Sequence, residues 1–302
     1  MNTTTTIRPG HQTVLDALRL ANRAPSVHNT QPWHWLVGDY SVHLMADRAR
    51  HVPADDPGAR DLVLSCGAAL HHLRTALAAS GWHAAVCLLP GADPDHLASV
   101  EVVPREPAEQ DVALALAIPR RHTDHGPFTA WPVPAGHLDL LVRHVTAEGG
   151  LLVPVTDPAH RHLGTTAIAS GTGWQEETGP PAVPGGDEVL VLATRDDDAV
   201  SRLRAGAAAS AALLAATGLG LATCPLSRPL RLGCTRARVR DEVLHGRAHP
   251  QLFLRVGWAG TEPRAASTRR PVTETVTYLP GTGPRREAAV RRSQVPDPRS
   301  SR

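Results

Sequence analysis

Two stretches decide how the chain is read: "CGAALHHLRTALAASG", Cys66–Gly81, and "AGAAASAALLAATGLG", Ala205–Gly220. Slid by 139 residues they superpose without a gap, matching Gly67 with Gly206, Ala68 with Ala207, Ala69 with Ala208 and Gly81 with Gly220. A repeat of this kind means that both parts of the chain centre on the same helix. Packed against each other, the two helices would make a single-chain imitation of a twofold dimer. The second copy runs on uncharged to Cys224, the length of a membrane span. Its Ala, Gly, Ser and Thr side chains gain little from lipid but let backbones approach closely, so it reads as a helix buried in a soluble protein.

Working outward, Thr13–Asn22 carries Val14, Leu15, Leu18 and Ala21 on one helical face, and Pro25 with the turn chemistry of Asn29–Pro32 ends it. A strand is expected over Trp35–Met45, a helix over Asp61–Ser80 and short strands over Val86–Leu89 and Ala98–Val103. "PREPAEQD", Pro104–Asp111, reads as a junction. Beyond it follow a helix from Pro134 to Ala147, a strand Leu151–Val155, a helix from Asp157 to Ser170, a loop Gly171–Gly186 and a strand Glu188–Thr194. Asp196–Asp198 suit the N-terminus of the Ala-rich helix, and Leu252–Trp258 is the last clear strand. Residues 11–110 and 111–282 are thus expected as two halves, with 283–302 as a disordered tail.

The 302 residues carry a formal net charge of +2, all 31 basic residues are Arg, and no basic run lies in the folded part, so composition gives no reason to expect a nucleic-acid partner. Cys66, Cys87, Cys224 and Cys234 have neither disulfide-framework nor zinc-ligand spacing. No apolar leader opens the chain, and it is expected to be cytoplasmic.

Two clusters carry chemistry. "RRHTDHGPF" brings Arg120, Arg121, His122, Thr123 and His125 together, the guanidinium and hydroxyl donors that a phosphate monoester needs. The same residues also suit a solvated basic helix end. "STRRP", with Arg269 and Arg270, could form a second side of such an anion site or be equally inert. In "RAPSVHNTQPWHW", Arg23–Trp35, the polar groups of Ser26, Asn29 and Gln31 sit beside the rigid Pro25, Pro32 and Trp33, and could read the edge of a planar heteroaromatic ring. A capped helix end followed by a Trp that plugs the core explains Pro32 and Trp33 but not Asn29 and Gln31. His28 alone reads as structural.

"APSVHNTQPW" resembles the flavin-contacting loop of the FMN-dependent nitroreductase superfamily, and "RRHTDHGPF" is similar to its phosphate-binding motif. "ATGLGLATCPL", "LRVGWA" and "STRRP" follow in the family's order. Ordinary members carry the phosphate motif first. Here the loop precedes it by nearly a hundred residues, an arrangement that resembles the Acg-like branch, in which two nitroreductase-like halves lie in one chain.

The resemblance implies an α+β nitroreductase-like fold, duplicated as a pseudo-dimer, with central, mostly antiparallel sheets surrounded by helices. It also implies one FMN per chain, since only one complete set of motifs is present. Arg121, Thr123 and Arg269 would hold the phosphate, with Arg120, His122 and Arg270 close by. Pro25, Ser26, His28, Asn29 and Gln31 would lie at the ring, and Pro225, Leu226 and Ser227 near its N5 edge. His125 falls where the family commonly has Lys or Arg beside the N1 and O2 side of the ring; a cation there stabilises the reduced flavin, and because His can lose its charge near neutral pH, the resemblance implies a flavin potential that falls as His125 deprotonates.

No side chain serves as nucleophile and no metal is implied. The function implied is two-electron transfer from NAD(P)H, or another donor, through N5 to a quinone, nitroaromatic or similar small acceptor. Flavin sequestration with little turnover and a biosynthetic flavin-dependent dehydrogenase are the alternatives. A chain that supplies its own pseudo-dimer is expected to work as a monomer.

Overall fold

Two 20-residue helices, α2 (Arg60–Ala79) and α5 (Ala199–Gly218), cross at the centre of the protein. The computed structural model describes residues 8–161, 186–260 and 267–282. At the crossing the backbones touch. A Cβ added to Gly67 would stand 2.1 Å from the Leu203 carbonyl oxygen, and one added to Gly206 would stand 2.0 Å from that of Leu64. Leu64 and Leu203 are related by the same 139-residue offset as the two glycines. The internal repeat is therefore an internal twofold, with each glycine receiving the other helix's backbone. Gly81 and Gly220 end the two helices with φ of 85° and 78°, the left-handed cap that Gly takes most readily.

Capping explains where the helices start. The Asp56 carboxylate accepts the backbone N–H of Arg60, Asp61 and Leu62 at 2.9–3.1 Å, and Asp198 accepts that of Ser201 at 2.7 Å. The acid run before the Ala-rich helix has the role expected of it.

Each central helix carries a sheet. The first is ordered β3-β4-β2-β1-β9 and the second β5-β6-β8-β7, with β1 Trp33–Val37, β2 Ser41–Ala46, β3 Trp82–Leu88, β4 His96–Pro104, β5 Leu151–Pro154, β6 Glu188–Thr194, β7 Ala222–Leu226, β8 His249–Gly257 and β9 Val276–Tyr278. Taken from β3 and from β7, the two orders correspond over four strands, and β9 is an addition to the first. All pairings are antiparallel except β1 with β9, which is parallel. Trp33, Trp35, Leu44, Leu73, Leu77 and Val100 fill the core of the first half, and Leu190, Leu192, Ala212, Leu213, Leu254 and Val256 that of the second. The indole N–H groups of Trp33 and Trp35 both donate to the Asn22 side-chain oxygen, at 3.0 and 3.2 Å, so neither buried ring leaves a donor unpaired. Among the described helices α2 has the length and apolarity of a membrane span, and it is mostly buried within the protein.

Three expectations change. The single strand over Trp35–Met45 is a hairpin, β1 and β2, because Gly38 and its neighbours turn the chain. The Pro104–Asp111 junction leads at once into a helix, α3 (Glu109–Ala117), started by the Asp111 carboxylate accepting the Ala108 N–H at 2.9 Å. The division expected at residues 110 and 111 runs through that helix. β9 returns from the far end of the chain to join the first sheet, so the second half also completes the first. The helix expected from Asp157 opens over residues 158–161. Its continuation to Ser170, the Gly171–Gly186 loop apart from Gly186 itself, and the tail beyond residue 282 lie outside the described residues.

The helix crossing also holds a buried polar knot. The Nδ1 atoms of His71 and His72 each lie 2.8 Å from the Ser210 hydroxyl, which can donate to one ring and accept from the other. His71 and Ser210 occupy equivalent positions of the repeat. Burial pulls the His71 pKa down to about 4 and that of His72 well below its usual value, so both rings are neutral in the folded chain. Unfolded, they protonate below about pH 6.5. Their contribution to stability is therefore complete above pH 6.5 and drains away as pH falls from 6.5 toward 4. The urea midpoint is expected to drop through that window, and His71→Asn, which cannot take the proton, is expected to drop less. Equal pH slopes would count against this origin.

Candidate functional site

A cavity of about 820 Å³ opens between the halves. Its floor is the helix crossing, with Leu64, Ser65 and Ala68 from α2 and Gly206, Ala209 and Leu213 from α5. The small side chains that let the helices meet also leave the space above them. Three further segments complete the wall: Pro25–Asn29 after α1 (His11–Ala21), Arg121, Thr123 and His125 after α3, and Pro225–Ser227 at the end of β7. Ser267 and Arg269 close one side. The clusters singled out in the sequence thus converge, although nearly 250 residues separate the first from the last.

The cavity is cationic at the Arg121 end. Arg121 is 6 % exposed, and its Nε and Nη1 atoms meet no hydrogen-bond partner among the described residues. Burial first, then the guanidinium groups of Arg269 and Arg23, pull its pKa down to about 10. The Nε atoms of Arg23 and Arg269 are likewise buried and unpartnered. Buried, like-charged and paired with no carboxylate among the described residues, such donors fit an anion with several acceptor oxygens. Arg23 stands at the head of the loop motif and was not singled out there. Its signal was an Arg one turn beyond α1, indistinguishable in the sequence from the other Arg residues.

At the other wall the backbone is strained. His28, Asn29 and Gln31 hold φ of 51°, 54° and 49°, a left-handed conformation that non-Gly residues rarely adopt. The C-terminal segment holds it there. Asn29 donates to the Thr268 carbonyl at 2.9 Å and accepts from Arg269 at 3.1 Å, and the Gln31 side chain accepts the Arg270 N–H at 2.8 Å. The Ser26 hydroxyl accepts the Gln31 N–H at 2.9 Å. The polar groups left unexplained in the sequence therefore fasten the loop to Thr268–Arg270, and the loop's shape is set from 240 residues away.

Of the expected contacts, Pro25, Ser26, His28, Asn29, Arg121, Thr123, His125, Pro225, Leu226, Ser227 and Arg269 line the cavity. Four stand off it. Gln31 is buried beneath the loop, and Arg270 turns away to the Gln31 and Trp33 carbonyls and the Asp47 carboxylate. Arg120 reaches the Thr217 carbonyl at the end of α5, and exposed His122 folds onto the Arg120 carbonyl. Sequence adjacency within "RRHTDHGPF" did not distinguish residues pointing inward from those pointing out. Arg228 and Arg231 also line the cavity and carry no motif that would have found them. Of the helix-floor residues, Ala68, Gly206, Ala209 and Leu213 lie in the repeat, where they read only as packing.

His125 also departs from expectation. Burial and the Arg255 guanidinium draw its pKa below the ordinary imidazole value, which disfavours the cation expected there. Arg255 is held by Asp187 at 2.9 Å and lies over the Phe128 ring.

No profile of a known protein family matches the sequence. Full-length relatives do. The provisionally named NAD(P)H nitroreductase Rv3131 of Mycobacterium tuberculosis is 38% identical over 319 residues, covering 89% of this chain and 92% of the relative. The provisionally named NAD(P)H nitroreductase acg of the same organism is 33% identical over 314 residues, covering 86% and 94%. A crystal structure of a provisionally named nitroreductase from Anabaena variabilis superposes with a TM-score of 0.61 at 9% identity, over 84% of this chain and 90% of the other, which establishes a shared fold. With identity of this extent along nearly the whole of both chains, the protein belongs to the Acg-like branch of the nitroreductase family.

Proposed function

We propose that the cavity binds one FMN per chain, and that the protein is an FMN-dependent oxidoreductase carrying two electrons from NAD(P)H to a small quinone, nitroaromatic or similar acceptor. The observation that carries this reading is the unmatched, buried Arg121 guanidinium at one end of a cavity large enough for a flavin nucleotide. Bound FMN would supply a carrier that takes up an electron pair from one molecule and passes it to another.

The chain's own part is to bind and orient. Arg121 and Arg269 would meet the phosphate charge, and Thr123 would add a hydroxyl. Pro25, Ser26 and Asn29 present a loop whose shape is fixed before any ligand arrives, so little ordering cost falls on binding. The apolar wall of Leu64, Ala68, Ala209 and Leu213 keeps water from the ring's surroundings.

A single site per chain is supported by what stands at the symmetry-related positions. Leu70 occupies the place equivalent to Ala209 and is buried, and Arg74 replaces Leu213 and pairs with Glu148 at 2.6 Å. At these two positions larger side chains stand where Ala209 and Leu213 line the cavity. Flavin absorbance against protein is expected to reach one equivalent after reconstitution, and a ratio near two would overturn the single site.

Anaerobic mixing of the flavin-loaded protein with NADH and with NADPH tests the reaction. Bleaching within seconds is expected. A flavin that stays oxidised with both would favour sequestration, or a different donor, over the reductase reading. The names of the mycobacterial relatives support a nicotinamide donor.

A further inference from the structure

Cys224 is buried completely on β7, and its sulfur lies 3.4 Å from Nδ1 of His125. The contact is built by the sheet. The Asp124 N–H donates to the Thr223 carbonyl at 2.9 Å, so the segment carrying His125 lies along β7 beside the cysteine. Phe128 packs with Ala222 and Cys224 and forms an isolated bridge with Ala259, fixing the segment's other end. His125 forms part of the cavity wall. One imidazole nitrogen therefore faces a buried thiol, and Nε2 is the nitrogen left for the cavity.

We propose that Cys224 is a positioning residue that holds His125 as the neutral tautomer with its proton on Nε2, a fixed N–H donor offered to whatever ring lies in the cavity. A thiol is a weak donor and a weak acceptor. Burial keeps the hydrogen on the Cys224 sulfur, and among the described residues Nδ1 of His125 is the one hydrogen-bond partner that this thiol meets, so the S–H is directed at it. The charged groups facing the pair act in the same direction. Arg255, opposite Cys224 in the β7–β8 register, opposes a second proton on His125, and Asp187, which could favour one, is committed to Arg255. With S–H as donor, Nδ1 must accept, and the single imidazole proton goes to Nε2.

The site thus offers a donor whose neutral form is favoured where a titrating cation was expected. It would hydrogen-bond a ring oxygen or nitrogen without adding a full charge. That use rests on the flavin reading, whereas the tautomer does not.

The ligand-free protein labelled with ¹⁵N-histidine tests the proposal. Long-range ¹H–¹⁵N correlation spectra distinguish the two tautomers directly. His125 in the parent is expected almost wholly as Nε2–H at pH 7.5. Cys224→Ala removes the donor, and with it a bias of roughly fivefold, the worth of one modest hydrogen bond. The His125 shifts should then move toward a tautomer mixture. Cys224→Ser, whose hydroxyl can donate in the same place, should restore the parent pattern. Nδ1–H in the parent, or an unchanged pattern in Cys224→Ala, overturns the proposal.

Because no flavin is present, these outcomes are independent of whether FMN binds. A second reading joins the two: the flavin midpoint potential of Cys224→Ala should shift relative to both the parent and Cys224→Ser. Failure of all three proteins to take up FMN would overturn the flavin reading and leave the tautomer result standing.

Discussion

Arg121→Met is expected to bind FMN roughly a hundredfold to a thousandfold more weakly than the parent, and yet to melt no lower when ligand-free. The two halves of this expectation have one cause. In the unliganded chain Arg121 is a buried cation with two unpartnered nitrogens and two like-charged neighbours. A pKa lowered from 12.5 to about 10 corresponds to a penalty on the order of 3 kcal/mol on the charged form. Methionine fills much the same volume without the charge, so the variant sheds that penalty at the expense of little packing.

Binding reverses the balance. Hydrogen bonds to a charged partner contribute about 1.5–3 kcal/mol each, and two of them near the lower end of that range account for a loss of two to three powers of ten. Flavin titration with thermal melting of the ligand-free protein measures both. Affinity within tenfold of the parent, or a clear fall in melting temperature, would mean that Arg121 is a structural residue.

Gly67→Ala is expected to be one of the two most damaging single methyl groups that can be added to the chain's centre. The new Cβ would lie 2.1 Å from a backbone oxygen, which cannot turn aside as a side chain can, so α2 and α5 must separate. Core strain and lost packing of that kind cost about 3–5 kcal/mol, roughly 10 °C in melting temperature for a protein of this size. Gly206→Ala meets the Leu64 oxygen at 2.0 Å and should behave alike, with an added loss of FMN because Gly206 lines the cavity.

The double variant should cost less than the sum, since the first substitution has already opened the crossing that the second would open. Gly218→Ala is the control. It has no atom within 4 Å of the added methyl and should be neutral or slightly stabilising. Simple additivity of the two core variants would show that the two contacts are independent and not one shared crossing.

The same residues show how far the sequence could be read. Gly67, Gly206 and the offset between them were legible, because close backbone contact admits almost nothing but glycine and a repeat repeats its exceptions. The phosphate-type cluster at Arg121 and the loop at Ser26–Asn29 were legible as chemistry. The loop's left-handed residues were not, because the bonds that hold them come from Thr268–Arg270, and the energy that stabilises that backbone is non-local. β9 was unreadable for the same reason. Three residues form a strand there only because β1 presents an open edge to pair with.

What the amino-acid sequence determined by itself was the set of parts: two equivalent helices, a cationic cluster, a rigid polar loop and their order along the chain. These depend on local propensity and on residues that tolerate few neighbours. Tertiary structure alone decided which arginines face the cavity, which polar groups serve as fasteners, and that burial and Arg255 draw the His125 pKa down. Direction, burial and charge state arise from what surrounds a side chain, and those surroundings were drawn from segments a hundred or more residues apart.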